Sequence, residues 1–166
     1  MEMKNAEPIN GKKRVKILYR VSTTKQLHNE DANKKDDIPV QEHENKAYVR
    51  KHPDWEIVDQ IYEKGVSGYK KHMYERPEMV KLMREASFGK FDILLVYKLD
   101  RLGRKSEETN QYLVNLSEYG VETWSVVEGN ITPHEQYGKM RNAFLCISAE
   151  FESANISVRT KAGLNN

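Results

Sequence analysis

Two short polar clusters carry the residues that could do chemistry. Arg20-Val-Ser22 ends the run "RVKILYRV", and "KLDRLGR", Lys98 to Arg104, closes a second apolar run that starts at Phe91. Arginine suits phosphate because its planar fork donates two parallel hydrogen bonds and keeps its charge. A serine hydroxyl near several arginines points to a nucleophile for a phosphodiester, with guanidiniums stabilising the pentacoordinate transition state. Taken singly, each residue is ordinary. A serine after a strand commonly caps a helix, "DRLGR" can be a capped turn, Arg76 before Pro77 a surface cation, and Gln26 and Gln41 surface amides. The spacing makes the pair: a strand alternates its faces, so positions 20 and 22 share a side.

Positioning these groups requires a frame, and the apolar pattern supplies one. "RVKILYRV" reads as a first strand and "EIVDQIY" (Glu56–Tyr62) as a second. "FDILLVYKL" (Phe91–Leu99) is a continuous apolar run, as expected of a strand covered on both faces, and "VETWSVVE" (Val121–Glu128) is a fourth. Helical patterns alternate with them. One runs from Pro39 to Lys51. Another opens at Pro77, with Met79, Val80 and Met83 on one face, and a third is capped by Ser106 and stopped by Gly120, with Leu113 and Leu116 inward. Alternating strands and helices predict an α/β fold: a mostly parallel central sheet with helices on both faces. In such sheets ligands collect beyond the carboxyl ends of the strands, where both polar clusters fall.

Two stretches break the rhythm. His28–Asp37 is polar without an apolar face, and Lys64–Pro77 carries glycines, cations and tyrosines; both are expected to be flexible loops. After them comes one long helix, on which Met140, Phe144, Ile147, Phe151, Ala154 and Val158 form an apolar stripe. The expected division is a flexible arm over 1–13, a catalytic α/β domain over 14–135, and over 136–166 the start of a helix that continues in a longer protein. A helix outruns a domain of this size, so the end of the stripe is expected to need a second subunit.

Composition narrows the class. The chain has 166 residues, enough for one domain with a real core, and 27 Lys and Arg against 25 Asp and Glu give a net charge of +2. Total charge therefore does not announce a nucleic-acid binder. The single cysteine, Cys146, lies in an apolar stretch and reads as a small buried hydrophobe. No signal peptide and no apolar run of about 18 residues is present, so a membrane is not an expected partner.

In order along the chain, "YRVSTTKQ", "VQ", "GVSG", "ERP" and "YKLDRLGR" resemble the catalytic domain of the serine recombinases, the resolvase/invertase family. "AEFES" and "RTKAGL" are similar to the start of that family's long interface helix, and the loop before Arg76 is most like the large members, phage integrases and mobile-element transposases. The chain differs from the family pattern at Lys64, Ser153 and Val158.

The resemblance implies a resolvase-like fold and site-specific DNA recombination. Ser22 is then the nucleophile that forms a 5′-phosphoserine link, with strand exchange and religation following. Arg20, Arg101 and Arg104 would cradle the phosphate, Arg76 would join when its loop closes, Asp100 would orient the arginines or accept a proton, and Gln26 and Gln41 would support the serine. It further implies no cofactor and no metal, double-stranded DNA as partner, homodimers assembling to a homotetramer on DNA, Arg159 and Lys161 reaching DNA, and a cytoplasmic location. The rival readings are an inactive recombinase-like oligomerisation module and a different Ser-dependent phosphate-transfer enzyme.

Overall fold

The computed structural model describes residues 9–20, 38–63, 72–103, 106–133 and 136–164. Strand β1 spans Lys13–Arg20, helix α1 Ile38–Arg50, β2 Trp55–Glu63, α2 Pro77–Ser87, β3 Ile93–Val96, α3 Ser106–Glu118, β4 Glu122–Ser125, β5 Gly129–Asn130 and α4 Gln136–Leu164. Short 3-10 turns cover Ile9–Gly11, Met73–Glu75 and Leu99–Arg101. The five strands lie in the order β2-β1-β3-β4-β5, parallel except for the β4–β5 pair. β1 begins at Lys13, one residue before the expected domain boundary.

Both faces of the sheet are covered. Val15, Ile17, Tyr19, Ile93 and Leu95 point to one side, where Val49 of α1 packs with Trp55. Leu18, Leu94 and Val96 point to the other, against Met79 and Leu82 of α2, Leu113 and Leu116 of α3, and Cys146 of α4. Every residue of β3 is buried, as its unbroken apolar run predicts. Burying one such side chain stabilises the fold by about 1.5–3 kcal/mol, so the central strands dominate the core. Helix α3 ends where Gly120 takes φ +77°, a conformation that favours glycine.

The structure departs from expectation in three places. Val80 is exposed, and the inner face of α2 is Met79, Leu82 and Ala86. The stretch before Pro77 is partly built structure, because Met73 is buried in the core within its 3-10 turn. On α4, Met140, Phe144, Ile147 and Phe151 all face outward, while Cys146, Ala149 and Ser153 turn towards the domain. These small side chains, with partly buried Leu145 beside them, make the contact of α4 with the core. His28–Asp37 and residues 64–71 lie outside the described residues.

Candidate active site

Topology sets the place. Chain order runs outward from β1 to β2 on one side and from β3 to β4 on the other, so the β1–β3 boundary is the switch point of the sheet. Leu18 pairs with Val96 at that boundary, and both strands then release their polar residues beyond the same edge. β1 delivers Arg20 and β3 delivers the turn carrying Asp100 and Arg101.

A bulge decides what faces Arg20. The β1–β2 register shifts between Val15 and Lys16, leaving Val58 without a partner in the ladder. The shift sets Asp59 opposite Lys16 and Glu63, rather than Tyr62, opposite Arg20. Without it the buried carboxylate would lie on the wrong face.

Glu63 is fully buried between two arginines. Its Oε1 lies 2.7 Å from Nη2 of Arg76 and 3.3 Å from Nε of Arg20, and Arg76 Nη2 also donates to Oε2 at 2.9 Å. Arg76 donates from Nη1 to the Leu102 carbonyl at 3.1 Å. Arg20 Nη1 lies 3.5 Å from the Arg101 carbonyl, so the strand-end and turn arginines are tied through main chain. Arg101 is itself buried, with Nε 3.7 Å from Asp100 Oδ1. Three guanidiniums against two carboxylates leave this cluster one net positive charge, suited to a phosphodiester. A buried charge survives only when it is paired, and Glu63 supplies that pairing.

The turn is fixed by its apolar residues. Leu99 and Leu102 of "KLDRLGR" are core residues, leaving Asp100 and Arg101 between them at the sheet edge. Gly103 is closely packed: a Cβ there would meet Thr109 Oγ1 at 2.5 Å and the Met73 terminal methyl at 2.8 Å, so both side chains would have to shift.

On the far side of the edge, the Gln41 side-chain amide of α1 brackets Arg20. It donates to the Arg20 carbonyl at 2.9 Å and accepts the Arg20 amide at 3.3 Å. Next to it, Glu42 accepts the Tyr62 hydroxyl at 2.7 Å; that hydrogen bond, with burial, pushes the Tyr62 phenol up to about 12. Burial likewise raises Tyr19, whose ring lies 4.8 Å from that of Tyr62. Both phenols therefore stay protonated near neutral pH and are poor nucleophiles.

Of the residues expected at the site, Arg20, Arg76, Asp100, Arg101 and Gln41 converge on one sheet edge. Arg76 stands buried in the cluster, paired with Glu63. Ser22, Gln26 and Arg104 lie outside the described residues. Arg159 and Lys161 are exposed on α4. Glu63 is the site residue that sequence reasoning did not select; its signal was an acid one position before Lys64, where the chain differs from the family pattern. Among the described residues no group of three His, Cys, Asp or Glu side chains could hold a metal ion, and no helix is long and apolar enough to cross a membrane.

An arginine cluster at the switch point of a mostly parallel sheet, followed by one long helix, defines an α/β domain with an appended helix. The chain belongs to the family described as "Resolvase, N terminal domain", whose model matches residues 15–166. It is 29% identical over 110 residues to the transposon Tn917 resolvase of Enterococcus faecalis, covering 64% of this chain and 55% of that protein. It is 32% identical over 105 residues to the serine recombinase PinR of Escherichia coli strain K12, covering 63% and 52%. The chain thus spans about half the length of these curated relatives. Among solved structures, the N-terminal catalytic domain of TP901-1 integrase superposes with a TM-score of 0.63 at 31% identity, covering 86% of this chain and 98% of that one. A resolvase family site-specific recombinase from Streptococcus pneumoniae gives 0.61 at 25% identity, covering 92% and 96%.

Proposed function

We propose that this chain is the catalytic domain of a large serine recombinase, with 14–135 as the catalytic unit and the helix from 136 onward serving assembly and DNA contact. The observation that carries the reading is the pairing of Arg20 and Arg76, from separate elements, on buried Glu63, with the Arg20 side chain reaching the main-chain carbonyl of Arg101. The names of the relatives, a serine recombinase and an integrase catalytic domain among them, support it.

Ser22 Oγ attacks the scissile phosphorus and gives its proton to a base. The 3′ oxygen leaves and takes up a proton, so the DNA retains a free 3′ hydroxyl and the 5′ end stays on Ser22 as a phosphoserine. Attack by a new 3′ hydroxyl reverses the step and rejoins strands. Arg20, Arg101 and Arg104 stabilise the non-bridging oxygens and the leaving group. Arg76, tied to Glu63 and to the Leu102 carbonyl, braces the cluster. Asp100 orients Arg101 or accepts a proton, and Gln26 and Gln41 support the strand end. Guanidiniums supply the charge that other phosphoryl-transfer sites take from metal ions, so the reaction is read as metal-independent.

The protein works on double-stranded DNA in the cytoplasm, as a homodimer that assembles to a homotetramer. The outward stripe of Met140, Phe144, Ile147 and Phe151 forms the dimer contact, and Arg159 and Lys161 face DNA. The test uses full-length protein and its cognate site. Wild type should yield denaturation-resistant protein–DNA adducts and Ser22→Ala none; adducts from the alanine variant would exclude Ser22 as nucleophile.

A further inference from the structure

Between β3 and α3 the chain carries Asp100 and Arg101 on a single 3-10 turn, Leu99–Arg101. Such a turn has little internal hydrogen bonding, and its first amides need outside acceptors. The Leu99 amide donates to the Glu128 carboxylate at 3.3 Å. Glu128 lies in the tight turn joining β4 to β5, and the buried Ser125 hydroxyl donates to the same carboxylate oxygen. Ser125 Oγ in turn accepts the amides of Val127 at 3.2 Å and Glu128 at 3.1 Å. The turn is lashed to the exit of β3 by Val126 N–H to the Val96 carbonyl at 3.0 Å and Val127 N–H to the Tyr97 carbonyl at 3.2 Å.

The start of α3 is held in a similar way. Ser106 opens α3, and its hydroxyl and amide both donate to Glu150 Oε2, at 2.7 and 3.3 Å. Glu150 belongs to α4. A carboxylate is the favoured acceptor at a helix N-terminus, where amides are orphaned and the macrodipole is positive. Both tethers come from outside the "KLDRLGR" motif, and both accept from main-chain amides.

We propose that Glu128 and Glu150 are positioning residues for the arginine segment. Glu128 holds the start of the turn and Glu150 the start of α3, the helix that follows it, and together they set where the Arg101 guanidinium stands. Because Glu150 rides on α4, that placement depends on where the assembly helix lies. The proposal rests on the reading of this segment as part of a phosphoryl-transfer site.

Two measurements test it. Amide exchange followed by NMR on this chain should show Leu99 losing protection in Glu128→Ala and Ser106 losing it in Glu150→Ala, with β1 amides unchanged. Glu128→Gln keeps a carbonyl acceptor and should retain protection. In full-length protein at saturating DNA, each alanine variant should form the covalent adduct about tenfold more slowly, inside the roughly 10²-fold loss that a misplacement of about 1 Å brings. DNA affinity should be unchanged, and the glutamine variants should recover most of the rate. Unaltered Leu99 exchange in Glu128→Ala, or alanine variants that cut at the wild-type rate, overturns the proposal even in an active enzyme. A wild-type protein that cuts no DNA overturns the functional reading instead, whatever the exchange data show.

Discussion

Gln41 closes the end of β1 by bonding both the amide and the carbonyl of Arg20 through one side chain. The amide stands in for a neighbouring strand at the point where the ladder stops. Gln41 is fully buried, so its removal would strand an N–H and a C=O away from water. Gln41→Ala should therefore lower stability by about 1–3 kcal/mol, the penalty for leaving such buried groups unsatisfied. Gln41→Glu should be at least as damaging near neutral pH, because an ionised carboxylate cannot donate to the Arg20 carbonyl. Urea unfolding of the two variants checks both expectations.

Glu63 holds the site's charge together. Glu63→Ala would leave the buried guanidiniums of Arg20 and Arg76 without their shared carboxylate, and should destabilise the fold by roughly 3–5 kcal/mol. Glu63→Gln keeps the shape but not the charge and should fall between. Equal stability for wild type and Glu63→Ala in denaturant would show that the cluster is already solvated.

Acid should weaken two carboxylate pairs outside the candidate site. Burial works to raise the Asp92 carboxyl, but the Arg14 side chain at 3.0 Å, the Arg14 amide at 2.8 Å and the Arg14 charge outweigh it and hold it below its ordinary value of 3.8. Asp59 is lowered as well: burial opposes ionisation, and the Lys16 ammonium at 2.7 Å prevails. A carboxyl depressed in the folded state stabilises the fold above its unfolded pKa, and that stability is lost as pH falls through the folded value. The melting temperature should thus drop below about pH 4, the ordinary carboxylate range. Asp92→Asn should melt lower at neutral pH and show a shallower acid slope. An identical slope would remove Asp92 from the account of acid sensitivity.

Much of this was legible in the sequence, for stated physical reasons. β3 is an unbroken apolar run because it is buried on both faces, and Leu113, Leu116 and Gly120 mark α3 through helical spacing and a stop residue. β5 was not legible: two residues, Gly129 and Asn130, carry no period. The arginines of the site were legible as motifs, but their arrangement was not. Glu63 stands opposite Arg20 only because of the bulge at Val58, which no sequence period announces. On α4 hydrophobicity misled, since the largest apolar side chains face outward and Cys146, Ala149 and Ser153 make the inner contact. Periodicity locates a stripe but cannot say whether the domain or a partner covers it.

That outward stripe predicts self-association. Phe144 and Phe151 are each 69% exposed, and Met140 is 68% exposed. An isologous pairing of two α4 helices would bury them, at about 1.5–3 kcal/mol for each side chain before ordering costs. Sedimentation at high micromolar concentration should detect a dimer, weakened by Phe144→Glu or Phe151→Glu without loss of folding. A strict monomer at that concentration would count against the interface.

The most direct measurement is peptide mapping of the covalent adduct. Full-length protein is trapped on its cognate site, digested with nuclease and protease, and the modified peptide identified by mass spectrometry. The expected product is the peptide containing Ser22 with a nucleotide attached through its 5′ phosphate. A nucleotide found on a tyrosine or on another serine, or attached through a 3′ phosphate, would contradict the assignment.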